Sequence, residues 1–325
     1  MLQRFLTIAH STFVETVRQP IYGVLLFVTA LLSILNVSLA GFTLGDDDKL
    51  LLDLGLSTLL LSGLFLAAFS ATGVISREIE NKTVLTVISK PISRPVFILG
   101  KFGGLFAAML VASYLGFLVF VLAIRHGVLQ TTSQPWDAPV LVFGFGSLLL
   151  SMLAGAFCNY FYGANFPTTV LTFLAPLLTV SVLAVGKLGK KWEVIDFGSS
   201  YVSLQVVMAA YLVFLAITVT TAIAVAASTR FGQVMTLVIC TVALGVGVVS
   251  DYAFGQHADT SMVAAVAYRA FPNIGPFWVI DGLTSGSDRP AITWTYVGYV
   301  TTYAGLVTAA ILSLAVAAFQ KREVG

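Results

Sequence analysis

The side chains able to do covalent or metal chemistry are few in this chain and stand apart. The histidines are His10, His126 and His257, whereas a zinc-dependent hydrolase needs two of them within His-Glu-x-x-His. Cys158 and Cys240 each sit in an apolar run without a neighbour at ligand spacing, which gives neither a disulfide framework nor a zinc site. Ser285 in Gly282-Leu283-Thr284-Ser285-Gly286 approaches the glycine-flanked serine of a hydrolase elbow, but it is expected in a loop and no histidine falls in any apolar span. Asp46, Asp47 and Asp48 with Asp53 could offer oxygens to a hard cation, but a solvated outer loop after the first span is the better reading of them. Gly100-Lys101-Phe102-Gly103 lacks the glycine spacing of a phosphate-binding loop, so by that route the chain hydrolyses no ATP of its own.

One polar segment is dense enough to interact with something. It runs Arg77-Glu78-Ile79-Glu80-Asn81-Lys82-Thr83, then Ser89-Lys90-Pro91-Ile92-Ser93-Arg94-Pro95, then Gly100-Lys101. Glu78 and Lys82 form an i,i+4 pair in the favourable order, so a helix should continue through them. Pro91 stops that helix, and Ser93 can cap a new one carrying Pro95 in its first turn. The segment therefore reads as a helix–turn–helix elbow presenting mixed charge.

The elements that hold this elbow follow from composition. Of the 325 residues, 58% are hydrophobic and 10% charged, far below the roughly 25% charge of soluble domains. The remaining apolar surface must face lipid. Eight stretches are long enough for a hydrocarbon core of about 30 Å: 21–43, 54–76, 102–124, 138–158, 168–186, 202–227, 233–250 and 294–319, none containing Asp, Glu, Lys or Arg. Continuous apolar runs in lipid must be helices, because each backbone group needs an internal partner. The expected fold is thus an all-α, polytopic transmembrane helical bundle.

Residues 1–20 read as an amphipathic helix in the membrane interface. Leu2, Phe5, Leu6, Ala9, Phe13 and Val17 share one face, with Arg4, Ser11, Glu15 and Arg18 off it. Residues 21–325 form the membrane domain. Within it, 251–293 is the longest segment outside the spans, and its apolar middle, broken by Arg269, Pro272, Asn273 and Pro276, suggests a re-entrant or interfacial hairpin on the outer side. The cation cluster at 77–101 favours cytoplasmic N- and C-termini, with Lys187, Lys190 and Lys191 as the dissenting outer loop. That dissent makes 138–186 the stretch where a single crossing with a re-entrant half competes with two crossings. Gly41/Gly45 and Gly100/Gly104 have the spacing of close helix contacts, and Asn36 and Asn159 should find hydrogen-bond partners. A net charge of +2 without a basic block argues against nucleic acid as a partner.

Residues 77–101 resemble the first cytoplasmic loop of type-2 ABC transporter permeases, the class that includes the nitrous-oxide-reductase maturation permease. The matching positions are Glu78, Glu80, Thr83, Pro91, Ser93, Arg94, Gly100 and Lys101. Ser228-Thr229-Arg230, Val248-Val249-Ser250-Asp251-Tyr252, Pro272-Asn273 and Phe319-Gln320-Lys321-Arg322-Glu323 extend the similarity. Six helices make that family's core, so an extra pair, placed at 138–186, marks the departure. The resemblance implies a permease subunit in the cell membrane, paired with a second permease subunit. It also implies a separate ABC ATPase subunit that binds ATP and Mg on its own chain and docks on Arg77, Glu78, Glu80, Lys82, Thr83, Pro91, Ser93, Arg94 and Lys101. No cofactor belongs to this chain on that reading, membrane lipid is its solvent, and it is no enzyme by itself. A membrane scaffold using the same elbow, or a passive channel, are the competing expectations.

Overall fold

A computed structural model of the chain describes residues 1–42, 47–76, 78, 93–129, 136–196, 203–257, 259–280, 283 and 292–320. Its architecture is an all-α, polytopic helical bundle, and no strand occurs among the described residues. The α-helices in chain order are α1 (Leu2–Arg18), α2 (Pro20–Ala40), α3 (Asp47–Ala71), α4 (Arg94–His126), α5 (Ala138–Tyr162), α6 (Phe166–Val185), α7 (Leu204–Ser228), α8 (Gln233–Ala253), α9 (Met262–Ala270) and α10 (Trp294–Gln320). All except α1 and α9 are long and apolar enough to cross a membrane, which makes this a multi-pass membrane protein with eight candidate spans. Each span lies over one of the eight apolar stretches of the sequence.

Helix ends follow local chemistry. Pro20, Pro139 and Pro167 stand in the first turns of α2, α5 and α6, where no backbone donor is needed. Asp137 and Asn165 cap α5 and α6 by accepting from Val140 N and Thr168 N. Gly163, at φ +63°, closes α5 in the left-handed conformation that glycine reaches without strain. Helix α3 ends in a π-helical turn, Thr72–Ser76.

Two helices start well before their apolar stretches. Helix α3 begins at Asp47 and α4 at Arg94, so Asp53 and Lys101 are helical residues rather than loop residues. Every Asp, Glu, Lys and Arg within the spanning helices still falls in the first or last eight residues of its helix. From Lys101 to Arg125 the rise along α4 is about 36 Å, enough to separate the two cations by a hydrocarbon core of about 30 Å.

The chain divides into two compact units. The first comprises 1–16, 63–110 and 208–325. Its core contains Leu64, Ile75, Ile98, Leu105, Leu212 and Ile217, all at most 2% exposed. Helix α7 is the most deeply buried of the eight spans, as suits a helix apolar all round. Gly63 lets α3 approach α7, since a Cβ there would stand 2.5 Å from Ile217.

The second unit comprises 17–62 and 111–207. Here Asn36 donates to Thr58 Oγ1 at 2.9 Å, joining α2 to α3. Gly55 accommodates the Phe120 ring of α4. Helices α5 and α6 form an antiparallel hairpin, with Ser147 and Ser181 hydroxyls 2.6 Å apart and Gly155 against Val170. Arg125, at the end of α4, bonds Leu188 O after α6 and pairs with Asp137 before α5. The hairpin therefore returns to the end it left, and α5 and α6 are two full-length helices. Asn159 is a hairpin-closing residue, its Nδ2 donating to Ala164 O at 2.7 Å.

Candidate functional site

The described residues of the polar elbow converge at one end of the first unit, around the start of α4. Helix α4 begins directly after Ser93, whose carbonyl accepts from Phe97 N, and Pro95 occupies the first turn. Seven residues into the helix, Lys101 is 3% exposed. A lysine is seldom buried without an anion, because removing the ammonium from water is costly. Two anions meet it: Glu78 Oε1 at 2.7 Å and Glu15 Oε2 at 3.7 Å. The ammonium also lies 5.6 Å from the centroid of the Phe97 ring. One side chain of α4 thereby ties together the residue just past α3 and the N-terminal helix α1. The Glu15 carboxyl is pushed up from its ordinary value of 4.5, first by burial, against which Lys101 pulls it down and Glu78 pushes it up.

Backbone approach makes this contact possible. A Cβ on Gly104 would overlap the Ala9 carbonyl oxygen and sit 2.5 Å from Thr12 Cβ, and one on Gly100 would meet Ile8 at 2.7 Å. The Gly100/Gly104 pair of the sequence is thus the seat of α1. The seated face of α1 is Phe5, Ile8, Ala9, Thr12 and Thr16, which takes Phe5 and Ala9 from the apolar stripe, while Leu2 and Leu6 stay exposed at 71% and 54%. Close backbone contact adds the β-branched Ile8, Thr12 and Thr16, which an apolar-face reading passes over.

The same end carries a second fastening. Arg94 donates to the carbonyls of Phe319 and Gln320 and lies over the Phe319 ring. Arg230 donates to Ala318 O. Phe97 and Phe319 stack with centroids 5.7 Å apart. Two arginines therefore satisfy the last carbonyls of α10, where the helix leaves acceptors open and the dipole favours a cation. Ser76 Oγ lies 3.0 Å from Ser228 O and 2.9 Å from Phe231 O, so it can donate to either and holds the π-turn of α3 to the end of α7.

Of the elbow residues expected to act, Glu78, Ser93, Arg94 and Lys101 are brought together. Arg77, Glu80, Lys82, Thr83 and Pro91 lie outside the described residues, as do Asp46 and Ser285. Glu15, Ser76 and Phe97 join the site without a motif to announce them, and Phe319 joins from the terminal Phe319-Gln320 run. Glu15 reads as a solvated off-face residue in sequence, and its anionic role emerges only from α1 lying beside Lys101.

At the opposite end of the first unit, the Asp251 and Pro272-Asn273 signals also meet. Asp251 accepts from Tyr268 Oη at 2.8 Å and from Asn273 Nδ2 at 2.7 Å. Asn273 N donates to Tyr303 Oη, Ile274 N to Gly247 O, and Tyr296 Oη to Pro276 O. The hydrogen bond to Asp251 raises the Tyr268 phenol above its ordinary value of 10.0. This network pins α9 and the segment after it to the ends of α8 and α10. Among the described residues, no three His, Cys, Asp or Glu side chains gather as a metal site. No family model matches the chain, nor does any curated protein or solved structure.

Proposed function

We propose that this chain is the membrane-spanning subunit of an ATP-driven exporter of the type-2 ABC class. On this reading it lies in the cell membrane with both termini in the cytoplasm, beside a second permease subunit. A separate cytoplasmic ATPase docks on residues 77–101 and supplies the energy. The observation that carries the proposal is the buried Lys101 with its two glutamates. A force applied to the chain between Glu78 and Ser93 enters α3 and α4 at their joined ends, and Lys101 hands it to α1 in the same step. The absence of charge from the middles of the described spanning helices supports an external energy source, since ion-coupled transport requires ionisable groups at membrane depth.

On this reading different elbow residues do different work. Glu78 and Arg94 are engaged inside the chain, so they hold the elbow in place. Docking falls to Glu80 and Lys82. The test is affinity purification from native membranes in mild detergent, with co-purifying proteins identified by mass spectrometry. An ATP-binding subunit should accompany the parent chain, and the double reversal Glu80→Lys with Lys82→Glu should reduce its recovery by about tenfold or more, with unchanged membrane insertion. Equal recovery with the reversed elbow would overturn the docking assignment.

A further inference from the structure

We propose that the aromatic turn joining α5 to α6 is a membrane anchor, seated in the headgroup layer of the bilayer instead of standing in water. It carries Phe157, Tyr160, Phe161 and Tyr162, all more than half exposed, with Tyr160 at 83% and Tyr162 at 76%. Their rings form one cluster. Phe157 and Phe161 have centroids 4.5 Å apart, Tyr160 and Phe161 5.0 Å, and Phe157 and Tyr162 6.2 Å. A contiguous exposed patch of this kind marks an interaction surface. Tyrosines, apolar in the ring and polar at the tip, suit a layer that is greasy on one side and wet on the other.

Two rulers within the second unit set the depth of the turn. The charged residues that bracket the hairpin, Asp137 and Lys187, both lie at its other end. The rise from Asp137 to Phe157 is about 30 Å, one hydrocarbon thickness, so the ring cluster begins where the core ends. Helix α2 is the second ruler. A Cβ on Gly23 would stand 3.7 Å from Pro167, and Gly23 lies one turn inside the polar entry at Arg18 and Gln19. The turn just before Pro167 is therefore level with that entry. Nothing in the turn calls for bulk water. Gly163 N donates to Asn159 O, Ala164 N to Cys158 O and Asn159 Nδ2 to Ala164 O, while Asn165 Oδ1 accepts from Thr168 N. No Asp, Glu, Lys, Arg or His stands between Asp137 and Lys187, whereas the elbow at 77–101 is dense in both signs. The exposed stripe Leu149, Leu153 and Phe157 runs along α5 straight into the cluster, so the surface that faces lipid on this multi-pass protein continues into the turn. Continuity with that surface and the lack of charge select lipid over a soluble protein as the occupant. The contact is with the uncharged glycerol and ester carbonyl layer, where the Tyr160 and Tyr162 hydroxyls find acceptors.

The anchor does not depend on ATPase docking, so the two proposals fail separately. The experiment places the full chain, freed of tryptophan (Trp136→Phe, Trp192→Phe, Trp278→Phe, Trp294→Phe) and carrying Tyr160→Trp, in phosphatidylcholine vesicles. Part of the lipid is phosphatidylcholine brominated either near the ester end or near the methyl end of its acyl chains, and tryptophan quenching is read with each. Bromine near the ester end should quench about two-fold or more better than bromine near the methyl end, as the half-thickness of the core requires, and aqueous acrylamide should quench weakly. Tyr162→Trp repeats the reading at the other tyrosine should the first variant fail to fold. Leu149→Trp, about 12 Å nearer the middle of the bilayer, should show the opposite order. Quenching by acrylamide alone would put the turn in water, free for a soluble partner. Quenching by neither bromine nor acrylamide would mean that protein covers it. Either result, or the same bromine order at 149 and 160, overturns the anchor.

Discussion

At the scale of single residues, buried charge governs what substitution does. Lys101→Met leaves Glu78 facing apolar surroundings without its cation; because both glutamates keep some solvent, the loss of stability should be about 2 kcal/mol rather than the full cost of a deeply buried broken pair. Thermal unfolding in detergent checks this, and a double-mutant cycle with Glu78→Gln should show positive coupling. Glu15 acts through pH. Its folded pKa lies above the unfolded one, so the folded state binds more protons in the window that opens above 4.5, and stability falls as pH rises through it. Glu15→Gln should flatten that part of the stability–pH curve, and a variant with the parent slope would contradict the assignment. Asp137 has two duties, capping α5 and neutralising Arg125. Asp137→Asn keeps the cap and Asp137→Ala loses both, so the alanine variant should be the less stable by about 1 kcal/mol.

At the scale of elements, helix seating depends on small residues and on sparse polar bridges. Gly104→Leu drives a side chain into the backbone of α1 and should cost about 1–3 kcal/mol. Its specific signature is faster amide exchange across residues 2–18, with α10 unaffected; protection of α1 equal to the parent's would show that the helix is held elsewhere. Asn36→Leu removes the bridge from α2 to Thr58. Interhelical hydrogen bonds in membranes contribute about 0.6 kcal/mol on average, so this change should be smaller than the glycine substitution. The ordering of the two variants in one unfolding assay tests the argument that close backbone approach outweighs polar bridging here.

At the scale of the whole molecule, the alternation of helices decides which ends share a side of the membrane. Within the first unit, Glu15, Ser76, Arg94, Arg230 and Phe319 belong to one end, and Asp251, Asn273 and Tyr296 to the other. Within the second, Gly23 meets Pro167 at one end, while Arg125, Asp137 and Leu188 mark the opposite one. In a cysteine-free background (Cys158→Ser, Cys240→Ser), the proposed orientation expects Glu80→Cys to react with an impermeant maleimide only from the cytoplasmic side. Lys191→Cys should react only from the other side. Labelling of both from one side would break the eight-crossing alternation.

The sequence by itself determined the membrane class and the helical fold, because long charge-free apolar runs have one stable outcome in lipid, but it left 138–186 open between one crossing and two, which the full-length helices α5 and α6 decided. It also located the elbow through Glu78, Ser93, Arg94 and Lys101, whose polarity stands out against those runs. Only the tertiary structure decided that Lys101 lies buried in a helix, that Glu15 and Glu78 answer it, and that Arg94 and Arg230 cap α10. Such pairings join residues 23 to 226 positions apart, and no local period encodes them. The two cavities of about 370 and 290 Å³ lined by α2, α4, α5 and α6 belong to the same kind of information. Their wall residues are indistinguishable in sequence from other leucines and valines of the spans, and what makes them cavities is the space left where four helices meet.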